Sequence, residues 1–182
     1  MSNLPRIAWG ITGAGHFLEQ CVEMILAHGQ VDVFISAAGL EVLKMYGLYD
    51  RLHKGGHTLF FDEGAASFPA VRVYGGRYDL VVIAPATSNS VAKMNAGICD
   101  GLVTNLFATA GKCRVPVIVL PCDVSGEVTS TTHHGKEVKI HVRPVDAQNT
   151  EALAGFEGVQ VVHNPEELKE FVLDWQPKKT GV

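Results

Sequence analysis

Short apolar runs alternate with longer segments of helical periodicity along the 182 residues of the chain. The runs lack the apolar–polar alternation of a half-exposed strand, which predicts strands that are buried on both faces. Five runs have this character: residues 6–12, 31–36, 80–84, 115–121 and 159–162. Helices are predicted at residues 17–28, 38–49, 91–110 and 166–175. Strands that alternate with helices form βαβ units, so we expect a mainly parallel sheet with right-handed crossovers.

Local signals define two of the helical segments more closely. The segment at 91–110 is expected to form two helices, divided near residues 99–101. The last helix has Asn164 as its N-cap and Pro165 at its first position. The sequence therefore predicts one flavodoxin-like α/β domain over residues 1–182, with a doubly wound, Rossmann-like arrangement of three layers.

Two stretches depart from this pattern. Residues 55–67 combine Gly, His and Phe without periodicity, which predicts a long loop over a ligand site or at a contact between subunits. Residues 127–143 predict a β-hairpin that turns around His134 and Gly135, because Val138 and Ile140 alternate with polar residues. We expect this added hairpin to serve packing between subunits.

Composition excludes several classes of function. The net charge is −4 and there is no basic run, so no nucleic-acid partner is predicted. There is no signal-peptide pattern, and the longest apolar run, at 115–120, is too short for a membrane span. The four cysteines are scattered, which favours a reduced, cytoplasmic protein without a metal cluster. His133 and His134 are expected on opposite faces of the hairpin, so no metal site is predicted.

A glycine-rich turn follows the first predicted strand, at residues 10–15. Glycines at this position let the backbone approach an anion at the start of a helix. The pattern differs from a dinucleotide fingerprint, because Leu18 stands where the third glycine would be and Ser36 ends the second strand in place of an acidic residue. Phosphate binding and a tight turn needed only for packing both remain open for this segment.

Small polar residues follow the strand at 80–84. Ligands in open α/β sheets bind beyond the carboxyl ends of strands, so this position favours a ligand site. A helix cap is the alternative, but a cap needs one such residue and four occur here. The segment reads Pro85, Ala86, Thr87, Ser88, Asn89, Ser90. Further along, Ala96, Gly97 and Gly101 are expected to permit close helix packing, and Asp100 to cap a helix.

Residues 81–105 resemble the signature region of the homo-oligomeric flavin-containing cysteine decarboxylase superfamily. In that superfamily a P-A-S-A-N-T-like motif precedes a helix and a G-x-x-D-x-L stretch, and this chain has P-A-T-S-N-S at 85–90 and G-I-C-D-G-L at 97–102. The resemblance implies non-covalently bound FMN. Carried over by position, it implies the following cofactor-binding residues: Gly13, Ala14 and Gly15 along the phosphate, Ser36 as a phosphate donor, Pro85, Ala86, Thr87, Ser88, Asn89 and Ser90 around the phosphate, ribityl chain or ring edge, and Cys122 after the strand at 115–121.

Departures from the superfamily pattern indicate the branch. Val71 stands where the decarboxylases carry a catalytic histidine, and their later P-x-M-N-x-x-M-W clamp is absent from the region that begins at Pro121. The prenyltransferase branch is disfavoured because Cys122 replaces an arginine. Residues 8–15, 71–79 and 138–146 are similar to those of archaeal-type flavoproteins that include flavin-dependent dihydromethanopterin reductases.

The branch implies an oxidoreductase that reduces dihydromethanopterin, or a similar dihydropterin, with electrons delivered through FMN. An electron-transfer flavoprotein that accepts electrons from a ferredoxin-like partner is the alternative, and a decarboxylase or prenyltransferase is a weaker one. No catalytic side chain is identified. Trp9, Tyr74 and Tyr78 are candidates for ring stacking, although a core position is the stronger prediction for each. The family further implies a redox partner protein or reductase, and trimers that assemble into dodecamers or larger cages.

Overall fold

A computed structural model describes residues 5–29, 31–64, 68–173 and 175. Its strands are β1 Ile7–Ile11, β2 Val31–Ile35, β3 Thr58–Phe61, β4 Leu80–Ala86, β5 Val117–Pro121, β6 Glu127–Thr131, β7 Glu137–His141 and β8 Val159–Val161. Six of them form a parallel sheet in the order β3-β2-β1-β4-β5-β8, while β6 and β7 pair as an antiparallel hairpin. The predicted flavodoxin-like α/β fold with an added hairpin is confirmed.

The sheet contains one strand that the sequence did not predict. The five predicted strands lie in the order β2-β1-β4-β5-β8, which is the flavodoxin order when they are renumbered. The expectation of a loop over 55–67 is wrong at Thr58–Phe61, where β3 pairs with β2 at the sheet edge. At this edge Thr58 is exposed and the rest of β3 is half-buried, so the strand lacks the continuous burial of β1, β4 and β5. The expectation of burial on both faces is also wrong for β8 at the opposite edge, where Gln160 is exposed. The last part of that predicted loop, residues 65–67, lies outside the described residues.

The helices flank the sheet on both sides. They are α1 Leu18–Ala27, α2 Ala37–Met45, α3 Tyr49–Lys54, α4 Ser88–Asn95, α5 Leu102–Lys112, α6 Pro144–Ala154 and α7 Pro165–Leu173, together with a 3₁₀ helix at Phe68–Gly75. The division of 91–110 into α4 and α5 is confirmed. The segment 38–49 is interrupted, because the chain turns at Gly47 with a φ of 68° before α3 begins. Asn164 Oδ1 accepts a hydrogen bond from the Glu167 amide at 2.8 Å, which confirms the predicted cap of α7.

The core consists of two apolar clusters, one on each face of the sheet. Alternate residues of β1 divide between them, with Ile7 and Trp9 on one side and Ala8 on the other. The first cluster is covered by α1, α2, α3 and α7, and the second by α4, α5, α6 and the 3₁₀ helix. This double coverage gives three layers, and it explains why the central strands are apolar without alternation. Within the described part of the chain, every helix falls short of the length and apolarity that a membrane span needs.

Candidate functional site

Loops from four strands meet at the carboxyl edge of the sheet, where β1 lies between β2 and β4. This is the position at which the strand order changes direction, and open α/β sheets bind ligands there. Buried Thr12 joins two of the loops, since its hydroxyl donates to the Pro85 carbonyl at 2.7 Å and accepts from the Thr87 amide at 2.9 Å. Sequence reasoning missed Thr12, for which the only signal is a hydroxyl residue directly after an apolar strand.

The glycine-rich turn after β1 packs tightly against α2. A Cβ at Gly13 would lie 2.6 Å from the Cβ of Ala38, and one at Gly15 would lie 2.6 Å from Cζ of Tyr46. These two glycines are therefore required for close approach. Phe17, in a left-handed conformation with a φ of 65°, precedes α1 and gives it no side-chain cap. The turn thus meets the packing requirement and leaves amides at the helix start uncapped by a side chain.

Ser36 ends β2 and caps α2. Its Oγ accepts a hydrogen bond from the Gly39 amide at 3.0 Å. A serine hydroxyl also carries one hydrogen, so Ser36 can cap the helix and donate to a ligand at the same time.

The polar segment after β4 contains one cap and two free side chains. Thr87 caps α4 by accepting from the Ser90 amide at 3.2 Å, and its hydroxyl lies 3.0 Å from Ser90 Oγ. Among the residues that the structure describes, the side chains of Ser88 and Asn89 have no hydrogen-bond partner. The capping interpretation therefore accounts for Thr87 and Ser90, whereas Ser88 and Asn89 remain available to a ligand.

A first cavity, which we call the strand-end cavity, has a volume of about 360 Å³. It contains most of the predicted binding residues. Its lining residues are Gly13, Ser36, Ala37, Ala38, Asp62, Thr87, Ser88, Asn89, Ser90, Lys93, Asp100, Gly101, Leu102, Val103 and Thr104.

The segment between α4 and α5 corrects two predictions. Asp100 was expected to cap a helix, but Asp62 caps α5 by accepting from the Leu102 amide at 3.0 Å. Asp100 instead pairs with Lys93 at 2.7 Å, and this contact lowers the pKa of its carboxyl. Gly97 was expected to allow close packing, yet nothing lies within 4 Å of a Cβ there and the turn requires its φ of 72°.

A second cavity, which we call the hairpin cavity, has a volume of about 330 Å³ and shares Thr87 and Ser88 with the first. The hairpin forms one wall, because Val128 pairs with Ile140 and Ser130 with Val138 on the same face. The remaining lining residues are Ala14, Gly15, His16, Tyr46, Cys122, Asp123, Thr131 and Thr132.

The hairpin is held over its cavity by a hydrogen bond from the Tyr46 hydroxyl to the Thr131 carbonyl at 3.0 Å. It therefore contributes to the site of its own chain, which the sequence did not predict. Packing of this hairpin between subunits stays a prediction. His133 and His134 lie in its turn with ring centroids 3.8 Å apart, so the expectation that they point to opposite faces is wrong.

Burial controls the protonation of two side chains beside the hairpin cavity. Burial lowers the pKa of His16, and the charge of Asp123 opposes this shift in part. Burial raises the pKa of the Cys122 thiol far above its usual range. Cys122 is thus a neutral wall residue, with its amide bonded to the Ala86 carbonyl at 2.9 Å.

The aromatic candidates for ring stacking lie outside both cavities. Trp9 is buried in the core and donates from Nε1 to the Ala84 carbonyl at 2.6 Å. Tyr78 is buried on the other face, where its hydroxyl donates to Asp32 at 2.7 Å. Tyr74 is exposed on the 3₁₀ helix, so the core prediction is confirmed for the first two residues and wrong for the third.

Comparison with known families decides the relationship. The family model described as Flavoprotein matches residues 1–179. The chain belongs to the Flavoprotein family. This agrees with the resemblance drawn from the motifs at 85–90 and 97–102.

Individual flavoprotein relatives indicate the branch. The dihydromethanopterin reductase (acceptor) of Methanosarcina mazei is 45% identical over 141 residues, which cover 70% of this chain and 59% of that protein. The enzyme of the same name from Methanocaldococcus jannaschii is 29% identical over 91% of this chain and 95% of its own length. The crystal structure of Burkholderia xenovorans DmrB in complex with FMN, described as a cubic protein cage for redox transfer, has a TM-score of 0.86 at 39% identity and covers 96% of each chain. The branch predicted from the sequence is confirmed.

Proposed function

We propose that this flavoprotein binds the phosphate and ribityl chain of FMN in the strand-end cavity, and that it reduces dihydromethanopterin or a similar dihydropterin whose ring lies in the hairpin cavity. The observation that carries the proposal is the pair of adjoining cavities that share Thr87 and Ser88 at the switch point of the sheet. The strand-end cavity is lined by hydrogen-bond donors, and the hairpin cavity has an apolar wall. An electron carrier needs only the first, whereas an enzyme needs a second space for the substrate ring. The named activities of the two archaeal relatives support the same choice.

The residues of the strand-end cavity fit a phosphate and ribityl chain. Ser36, Ser88 and Asn89 offer donors, and Lys93 contributes a cation. Two carboxylates line the same cavity, but Asp62 already accepts from a helix amide and Asp100 is paired with Lys93. These contacts offset part of the repulsion that the two carboxylates would exert on a phosphate. Of the other predicted residues, Gly13 lines this cavity, Ala14, Gly15 and Cys122 line the hairpin cavity, and Pro85 and Ala86 are buried and line neither of the two.

When bound, reduced FMN supplies a hydride for a carbon–nitrogen double bond of the dihydropterin. The chain positions the substrate ring and excludes water from it. The apolar face of the hairpin, formed by Val128, Val138 and Ile140, suits a flat ring, and the Tyr46 bond holds this face over the cavity. A fixed wall of this kind reduces the orientations that the ring can take before reaction.

The absorbance spectrum of the purified protein and mass analysis of the released chromophore test cofactor binding. We expect FMN, or uptake of FMN by the colourless apoprotein. Photoreduced protein mixed with 7,8-dihydropterin should return to the oxidised spectrum as tetrahydropterin forms. Protein that takes up no FMN contradicts the proposal, and a reduced flavin that dihydropterin does not reoxidise favours the electron carrier.

We further propose a homo-oligomer built from trimers, as a dodecamer or larger cage. Phe68, Val71 and Tyr74 support assembly, because they are 77%, 48% and 58% exposed and recur every three residues of the 3₁₀ helix. Side chains three apart in such a helix share one face, so the three form an apolar stripe. Replacing Phe68 and Tyr74 by serine should reduce the native mass without loss of helical circular dichroism. A wild-type monomer by light scattering would contradict the proposed assembly.

Two further proposals concern the surroundings of the protein. We infer that a redox partner protein or reductase reloads the flavin between turnovers, since the proposed reaction consumes two electrons each time. A cytoplasmic location is supported by the four cysteines, which are free in the structure.

A further inference from the structure

Asp123 is a carboxylate without a partner at the hairpin cavity. It follows buried Cys122 directly after β5 and lines the cavity together with His16 and the apolar hairpin face. Within the described ranges, its side chain makes no hydrogen bond or ion pair. Asp62 and Asp100, the carboxylates at the strand-end cavity, both have partners. Among the carboxylates that line the two cavities, Asp123 is therefore the one whose oxygens make no hydrogen bond or ion pair within the described residues.

The nearest cations do not neutralise Asp123. The charge of Asp123 contributes to the raised pKa of Arg143, but the Arg143 guanidinium donates to both oxygens of Asp146 at 2.7 Å. His16 lines the same cavity, and burial lowers its pKa and so favours the neutral ring. A half-buried carboxylate whose oxygens accept no hydrogen bond from the described residues is stabilised by a ligand that presents N–H groups.

The flavin and the pterin differ in the hydrogen-bonding groups at their pyrimidine edges, and this difference indicates which of them Asp123 would bind. The pyrimidine edge of a flavin presents one N–H between two carbonyl oxygens, which a carboxylate repels. A 2-amino-4-oxopterin presents its ring N–H beside its amino group, and these two donors match the two oxygens of a carboxylate.

We propose that Asp123 selects the substrate by accepting two hydrogen bonds from the 2-amino and ring N–H groups of a pterin that lies against the hairpin face. This inference rests on the proposed function and adds to it the residue that recognises the substrate. In this proposal Asp123 positions the pterin and determines substrate specificity, while FMN is bound by the residues of the strand-end cavity.

The Asp123→Asn variant tests this role with two substrates, 7,8-dihydropterin and 7,8-dihydrolumazine, which differ at the 2-position and in a hydrogen at N1 of the lumazine. The lumazine carries a carbonyl where the pterin carries an amino group. The wild-type protein should prefer the pterin by about 100-fold or more in kcat/KM, since a carboxylate cannot pair with the carbonyl. In the variant, the amide should accept from the ring N–H and donate to the carbonyl. KM for the pterin should therefore rise about 10- to 100-fold and the preference should shift toward the lumazine.

Calorimetric binding of the same two compounds to the FMN-loaded proteins provides a readout that does not depend on turnover. The control variant is Glu127→Gln, which removes a carboxylate from the outer face of the same hairpin, where Glu127 pairs with Lys139. FMN affinity should be equal in both variants and the wild-type protein.

The possible outcomes separate this inference from the proposed function. A variant that keeps the wild-type preference overturns the role of Asp123, even if the wild-type protein reduces dihydropterin. Loss of FMN binding in Asp123→Asn also overturns it, because the carboxylate would then serve the cofactor. If the loaded wild-type protein reduces neither compound, the proposed function fails, and the calorimetric preference still decides whether Asp123 binds a pterin.

Discussion

Replacing Gly13 by alanine should weaken FMN binding through a steric clash inside the protein. The new methyl carbon would lie 2.6 Å from the Cβ of Ala38 and 3.3 Å from its carbonyl carbon. Carbon atoms in contact prefer a separation of about 3.5–4.0 Å, so one of the two segments must move by about 1 Å. Neither neighbouring atom belongs to a flexible side chain, and the turn after β1 must therefore separate from α2.

The size of the effect follows from this displacement. Overpacking of a tight contact costs about 1–3 kcal/mol, and we expect this loss in the free energy of unfolding of the apoprotein. The same movement separates Gly13 from Ser36 across the strand-end cavity, which both residues line. Misplacement by about 1 Å should raise the Kd for FMN about tenfold or more.

Fluorescence titration of the apoprotein with FMN and denaturation in urea measure the two effects. The matched control is Gly111→Ala in α5, because nothing lies within 4 Å of a Cβ at that position. Alanine is the better helix former, so the control should keep its FMN affinity and gain up to about 1 kcal/mol of stability. A Gly13→Ala protein with the wild-type Kd and stability would refute the reasoning.

Three other substitutions or treatments probe the walls of the site. Thr12→Val should lower the free energy of unfolding by about 1–3 kcal/mol in urea, because the Thr87 amide loses its buried acceptor. Tyr46→Phe removes the bond to the Thr131 carbonyl at a cost of about 0.5–1.5 kcal/mol, and hydrogen exchange of the hairpin amides should become faster. Iodoacetamide at pH 8 should modify Cys122 only in denaturant, as mass spectrometry can show, since burial raises the pKa of the thiol and keeps it protonated. Wild-type stability of Thr12→Val or unchanged hydrogen exchange in Tyr46→Phe would contradict the first two expectations. Rapid labelling of Cys122 in the native protein would contradict the third.

The sequence predicted the central strands because continuous apolar runs follow directly from burial on both faces, and it predicted the edge strand β8 because three of the four residues at 159–162 are valines. It failed at β3, which lies at the sheet edge with Thr58 exposed. It also failed at α6, whose buried side chains include only one aliphatic residue, Leu153, beside Asp146 and Thr150. A helix covered on so narrow a face gives little apolar periodicity. The 3₁₀ helix was missed since its spacing of three matches neither the helical nor the strand pattern.

The FMN-binding role of the predicted residues stays a prediction, but the structure places four of them, Thr87 to Ser90, along the strand-end cavity. Residues 87–90 line this cavity because they follow the central strand β4 directly. Thr12, Tyr46 and Asp62 could not be predicted in the same way, since each acts on a residue more than 35 positions away in the chain. Their roles depend on the strand order and on how the hairpin folds back, which local pattern does not define.

The residues suited to the cofactor and those suited to the substrate lie on different parts of the fold. The donors suited to the cofactor come from loops at the ends of β2 and β4. The parallel sheet brings these loops together, because both strands flank β1. The surface suited to the substrate comes from Asp123, which follows β5, and from the hairpin, which lies outside the parallel sheet and is bonded to the end of α2 through the Tyr46 hydroxyl. Changes in residues 123–142 can therefore alter the ring that is bound without disturbing the strand-end cavity. We expect exchange of this segment between two flavoproteins to transfer substrate preference while FMN affinity stays constant, and a parallel loss of FMN would show that the two cavities are energetically coupled.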